Sequence, residues 1–168
     1  MKIVSDFDLT LYNAYRLGAR CAKAFFPETE EDFLEIYREF PDKSKIILGN
    51  GNNIILSKEL YDEYFILLNG CFDNVYISNN NVLIAEAGAT MQKLSEIALQ
   101  HSLSGMEIFY DIPSSVGGAV VMNAGANGEE ISSLVLKVRY LDLLSGEIKE
   151  KYKEEVGFEY RNSLFQKN

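Results

Sequence analysis

Lys45-Ile46-Ile47-Leu48-Gly49-Asn50-Gly51-Asn52-Asn53 is the stretch on which the reading of this 168-residue sequence turns. A short apolar run, of the kind that forms a buried strand, stops at a glycine. Five residues that are only glycine or asparagine follow. These two residue types tolerate positive φ, so successive backbone N–H groups can converge into an anion-binding concavity. A plain turn between strands is the competing reading. The nucleotide fingerprint G-x-G-x-x-G is not completed, because Ile54 stands where the third glycine should be and no helix pattern opens here. A dinucleotide fold of that kind is disfavoured.

A second stretch shares this character: Ile112-Pro113-Ser114-Ser115-Val116-Gly117-Gly118-Ala119, continuing through Met122-Asn123-Ala124-Gly125-Ala126-Asn127-Gly128. Its small side chains let a flat ligand lie against the backbone. Ser114, Ser115 and the backbone amides are candidate donors to a diphosphate. A small-residue helix packed on a sheet is the alternative, but glycine costs a helix about 1 kcal/mol per residue, so a loop is expected.

Outward from these loops the pattern is α+β. Thr29 caps a helix that starts with Glu30-Glu31-Asp32 and ends near Phe40-Pro41. Ile54-Ile55-Leu56 and Tyr64–Leu68 read as strands. Val75-Tyr76-Ile77 and Val82–Ala85 flank an asparagine turn and read as a hairpin. Thr90 caps a second helix with Met91, Leu94, Ile97 and Ala98 on one face. Val135–Leu141 alternates with period two and turns at Ser145-Gly146 into Glu147-Ile148-Lys149. A break is expected near Asn69–Asp73.

Composition narrows the function. A formal net charge of −9 argues against a nucleic-acid partner, whose phosphates need a basic surface. Backbone amides can still hold a phosphate on an acidic protein. No apolar run approaches the roughly 20 residues that span a bilayer, and the N-terminus turns acidic at Asp6, so no membrane contact and a cytoplasmic location are expected. Cys21 and Cys71 lack metal-ligand spacing and read as free thiols; no metal site is expected. His101 reads as a residue at the end of the second helix. Asp6-Phe7-Asp8-Leu9-Thr10 imitates the nucleophile motif of haloacid-dehalogenase-type phosphatases. That chemistry needs a buried strand before the first aspartate and a downstream acidic pair. Only Ile3-Val4 precede it, and no such pair is found.

Four blocks in order carry a family resemblance. They are Asn13-Ala14-Tyr15-Arg16-Leu17-Gly18; Leu48–Asn53; Gly105-Met106-Glu107 leading through Ile112-Pro113 to Gly117-Gly118-Ala119 and Met122–Glu129; and Phe158-Glu159-Tyr160-Arg161-Asn162-Ser163-Leu164-Phe165. Together they resemble the FAD-binding region of the UDP-N-acetylenolpyruvoylglucosamine reductase family of bacterial peptidoglycan synthesis. The resemblance implies a two-lobed, α+β FAD-binding domain of the vanillyl-alcohol-oxidase/PCMH type, with lobes at residues 1–69 and 70–168. It implies FAD held by Gly49, Asn50, Gly51, Asn52, Asn53, Pro113, Ser114, Ser115, Gly117, Gly118, Asn123, Ala124 and Gly125, NADPH as reductant, and Arg161 as a catalytic residue.

The departures from the family matter. Asn52, Asp111 and Ser114 replace the residues usual in the two loops, which implies altered or weaker flavin binding. The family's C-terminal substrate domain, of roughly 100 residues, has no counterpart here, nor have its serine proton donor and glutamate. A separate substrate-binding chain or self-association through exposed apolar surface is therefore expected. A degenerate, non-catalytic binding or scaffold module with the same fold is the alternative.

Overall fold

Three parallel strands and one antiparallel edge strand form the main sheet, and their connections explain what covers it. In the computed structural model, which describes residues 1–166, β1 (Lys2–Asp8) pairs antiparallel with β2 (Arg20–Phe26). α1 (Glu30–Glu39) then crosses to β3 (Lys45–Leu48), and β4 (Leu60–Leu67) inserts between β2 and β3, parallel to both. Lys167 and Asn168, at the end of the second expected lobe, lie outside the described residues.

Parallel neighbours cannot be joined by a tight hairpin, so the chain must return from the end of β3 to the start of β4. Residues 49–59 make that return. Leu56 is buried on the sheet face with Leu9, Cys21, Ala24, Leu48, Phe65 and Leu67, and Ile54 packs beside them. Ile54-Ile55-Leu56 is therefore not the expected strand. Its in–out–in alternation arises because the connection lies flat on a core, with Ile55 pointing to solvent. α1 covers the opposite face through Ile36 against Phe25 and Ile66, with Phe33, Tyr37, Phe40 and Tyr64 around them. Its start is fixed by a reciprocal cap between Thr29 and Asp32. Two N–H groups, those of Glu28 and Thr29, hold the Asp32 carboxyl below its ordinary pKa.

β1 and β2 were not expected. β1 is mostly exposed and carries Lys2, Asp6 and Asp8, and β2 mixes Arg20, Lys23 and two alanines with its apolar residues, so neither advertises a strand by composition. β1 extends through Asp8, further than the phosphatase comparison assumed. Asp6 is nevertheless an exposed residue on an edge strand with φ +49, and its carboxylate is paired with Arg20 at 2.7 Å. That is no setting for a nucleophile.

After Leu67 the chain turns through Gly70 into a hairpin of β5 (Val75–Ile77) and β6 (Leu83–Ala85), as the asparagine turn implied. α2 (Met91–Gln100) is capped by Thr90, and His101 closes its far end. The small-residue stretch departs from expectation: Val116–Val121 is a short helix, α3, with Ser115 as its cap. Its glycines serve close packing, because a Cβ on Gly117 would lie 2.9 Å from the Ala87 Cβ and 3.1 Å from its carbonyl. Contact with that backbone outweighs the helix cost. β7 (Gly125–Ala126) and β8 (Glu129–Glu130) make a small ribbon, and β9 (Lys137–Asp142) pairs with β10 (Glu147–Tyr152). The second core gathers Met91, Leu94, Ala98, Met106, Phe109, Ala119 and Ile131. Phe33 meets Phe72, and Arg139 on β9 pairs with Glu30 on α1.

Cys21 is buried and Cys71 half-buried, both as free thiols, and burial pushes the Cys21 thiol up to about 11. No helix among the described residues is long and apolar enough to cross a membrane. Replacing Gly117 by valine is expected to cost about 1–3 kcal/mol of stability in urea unfolding, through overpacking against Ala87.

Candidate cofactor site

The two loops singled out by sequence meet in space, and they meet through glycine. A Cβ on Gly49 would run into the Ser115 hydroxyl, with the Ser115 Cβ only 3.4 Å away. Gly51 is buried at φ +69. A Cβ there would strike the Tyr12 carbonyl and come within 3.0 Å of the Asn13 Cα. The Gly51 carbonyl accepts from the Ala14 N–H at 3.0 Å, and the Asn52 amide donates to the Pro113 carbonyl. The first turn is thus clamped between the Tyr12–Ala14 backbone and the Pro113–Ser115 segment.

Clamping leaves its donors free. Among the described residues, the N–H groups of Gly49, Asn50, Gly51, Asn52 and Asn53 donate to no protein acceptor. Consecutive unpaired N–H groups in a turn of this kind form an anion nest. Asn50 and Asn52 line a cavity of about 380 Å³ together with Thr90, Gln92, Tyr110, Asp111, Ile112, Pro113 and Ser114.

The second loop supplies the wall of the site, and most of its own backbone donors are engaged. Val116 N–H donates to Ala89 O at 2.8 Å, Gly117 N–H to Ala87 O at 2.8 Å, and Gly118 N–H to the Ser115 hydroxyl at 3.2 Å. Ser114 N–H reaches Ile112 O, and its hydroxyl donates to Ser115 O at 2.9 Å. Ser115 itself is 2% exposed. The Ser114, Val116, Gly117 and Gly118 amides are thus spent within this loop, on Ala87, Ala89 and the cap of α3, whereas among the described residues the Ser115 N–H donates to no protein acceptor.

Asn123, Ala124, Gly125 and Arg161 form a separate group, and none of them lines that cavity. The fully buried Asn123 donates to Glu130 Oε2 at 2.8 Å and Glu159 O at 2.9 Å, and accepts from Ser132 N–H. Ala124 N–H donates to Ala119 O. Asn123 is thus a structural tie that carries the Glu159–Asn162 hairpin against the end of α3, and Ser163 adds a bond to Val121 O. At the hairpin tip Arg161 adopts φ +54, lies over the Tyr160 ring, and donates from Nη2 to Gly125 O at 2.7 Å.

Thr90, Gln92 and Tyr110 also line the cavity and were not anticipated. Thr90 read only as a helix cap, and nothing in the local pattern of Tyr110 places it beside Gln92, whose amide donates to its hydroxyl at 3.2 Å. A larger cavity, of about 600 Å³, opens between Gly128–Ser133 and Lys153–Phe158. Glu129, Glu130 and Glu154 face it against Lys153 alone, which disfavours a phosphate ligand.

The residues of the first site fit a dinucleotide's diphosphate: free backbone donors, glycines that admit close approach, and a wall of small residues. Asp111 is the one opposing charge. Replacing Asn123 by alanine is expected to cost about 1–3 kcal/mol in denaturant unfolding, because the Ser132 N–H and the Glu159 carbonyl lose a buried partner.

Comparison with known proteins bears on the family and the fold. The family model described as FAD binding domain matches residues 22–151. The UDP-N-acetylenolpyruvoylglucosamine reductase of Francisella tularensis subsp. tularensis is 39% identical over 158 residues, covering 94% of this chain and 55% of that protein. Its namesake in Chloroherpeton thalassium is 38% identical, covering 92% and 50%. The chain spans about half the length of the curated relatives it matches. Among solved structures, a UDP-N-acetylenolpyruvylglucosamine reductase from Thermus caldophilus superposes with a TM-score of 0.74 at 27% identity, over 96% of this chain and 56% of that one. A 6-hydroxy-D-nicotine oxidase from Arthrobacter nicotinovorans gives 0.67 at 13% identity, over 92% and 36%, which shows the shared fold alone. The fold is the α+β FAD-binding architecture that the resemblance implied, and the chain belongs to the FAD-binding domain family, similar in sequence and fold to the UDP-N-acetylenolpyruvoylglucosamine reductases.

Proposed function

We propose that this chain holds FAD with its diphosphate on the Gly49–Asn53 turn, as the flavin-binding part of an NADPH-dependent reductase of UDP-N-acetylglucosamine enolpyruvate. The observation that carries the reading is the row of free N–H groups in a turn fixed by Gly49 and Gly51. Backbone donors suit a chain of net charge −9, which has few cations to offer a phosphate. Pro113 and Ser114 present a wall opposite Asn50 and Asn52. Asp111 faces the same cavity and weakens the site for an anion.

When bound, FAD supplies the relay of a hydride from NADPH to the enolpyruvyl double bond. The chain's own contribution to that chemistry is Arg161. Among the described residues one of its five donors is engaged, by Gly125 O, and the rest are available to a carboxylate or to enolate charge developing on the substrate. A strained backbone at φ +54, stacking on Tyr160 and the Asn123 tie keep the guanidinium in place before any ligand arrives. Proton delivery and the sugar-nucleotide contacts are assigned to a further substrate-binding part outside these residues. A cytoplasmic setting, where NADPH and the nucleotide sugar are made, follows from the same reading.

The test uses the purified chain, titrated with FAD and then treated anaerobically with NADPH. Saturable quenching of flavin fluorescence followed by bleaching of the visible flavin band is expected. Quenching without bleaching would mark the non-catalytic binding module instead. No quenching at all would sink the flavin assignment.

A further inference from the structure

We infer that Asn13 is a positioning residue for the Gly49–Asn53 turn, acting on it through the Leu9–Leu17 loop without touching a ligand; this rests on the assignment of that turn to the FAD diphosphate. Asn13 is 2% exposed. Its Nδ2 donates to Leu9 O at 3.0 Å and to Leu17 O at 3.1 Å, with a longer contact to Thr10 O at 3.4 Å. Its Oδ1 accepts from Leu17 N–H at 2.9 Å. One amide thus ties both ends of the loop, and a bond from Leu9 N–H to Ala19 O at 2.8 Å closes its base.

The closed loop holds the backbone at Tyr12–Ala14, where the turn rests. The Tyr12 carbonyl and the Asn13 Cα bear on Gly51, and Ala14 N–H fixes the Gly51 carbonyl. The Gly51–Asn52 peptide is planar and trans, so its C=O and N–H point in opposite directions. Anchoring the Gly51 carbonyl on Ala14 therefore turns the Asn52 N–H away from the loop and into the cradle. Asn13 sets the direction of a donor that lies 39 residues further along the chain.

The role demands an amide, since the side chain must donate to carbonyls and accept from an N–H at once. An aspartate of equal size fails when ionised. It can accept from Leu17 N–H, but it places charge against the Leu9 and Leu17 carbonyls, and burial there raises its pKa. Once protonated it donates again. The charged groups of the loop are engaged elsewhere, Asp8 with Thr10 N–H and Arg16 with Leu11 O, and the only histidine sits at the end of α2. A pH response in Asn13→Asp is therefore assigned to the new carboxyl.

The experiment compares the wild-type chain with Asn13→Asp at about pH 8 and about pH 5.5. One readout is FAD affinity by fluorescence quenching. The other is hydrogen exchange of the Ala14 N–H without FAD, corrected for the intrinsic exchange rate. Asn13→Asp should bind FAD about tenfold more weakly at the higher pH and recover towards wild type at the lower. Ala14 protection should fall and return in parallel. If the variant does not fold at the higher pH, Asn13→Ser is read in its place, with weakened affinity and weakened Ala14 protection expected. Wild-type Ala14 protection in the variant, or an affinity loss equal at both pH values, overturns the inference. Should the wild type bind no FAD, the flavin assignment fails, while the exchange readout still decides whether Asn13 grips the turn.

Discussion

At Gly49 and Gly51 the turn's backbone meets its neighbours, the Ser115 side chain and the Tyr12–Asn13 backbone, more closely than a Cβ on either glycine would permit, and the candidate site follows from that approach. Ser115 occupies the space where a Cβ of Gly49 would sit, and the Tyr12–Asn13 backbone occupies that of Gly51. Each contact joins segments distant in sequence, so the turn is held from two sides. Because it is held through carbon contacts, a carbonyl and one side-chain amide, its own N–H groups stay free. A turn that satisfied its donors internally would be equally well folded and could hold no anion.

The same economy shapes the electrostatics. With 25 acidic against 16 basic residues, the chain does not gather lysines around the cavity and instead meets it with backbone dipoles. Charge works locally elsewhere. Arg139 and Glu30 link β9 to α1 as an exposed pair whose contribution is small, so the Phe33–Phe72 contact is the stronger tie there. Arg161 is presented in a strained turn, and the buried Asn123 is what supports that turn.

Residue types showed where the chemistry lies, and the tertiary roles of those residues lay beyond them. Gly49–Asn53 was legible because only glycine and asparagine combine small size with positive φ, and the hairpin around Asn81 was legible for the same reason. α3 was not, since the helix cost of Gly117 and Gly118 is overridden by the contact with Ala87, which no local pattern contains. β1 and β2 hid behind charge and alanine, and Ile54–Leu56 imitated a strand by lying on a core. Asn123 was read as a cofactor-binding residue from its setting, whereas its contact with Glu130 and Glu159 is not visible in any local pattern. Gln92 and Tyr110 reach the cavity only through folding. The family resemblance added the identity of the cofactor, which spacing alone left as a generic phosphate.

The central claim is that the backbone of Gly49–Asn53 receives the diphosphate of FAD. The most direct measurement is a titration of the nitrogen-15-labelled chain with FAD, following every assigned amide by NMR. Saturable downfield shifts concentrated at Gly49–Asn53, with smaller changes at Pro113's neighbours and α2's first turn, are what the account requires. Saturable shifts confined to Gly128–Ser133 and Lys153–Phe158, or none at Gly49–Asn53, would contradict it.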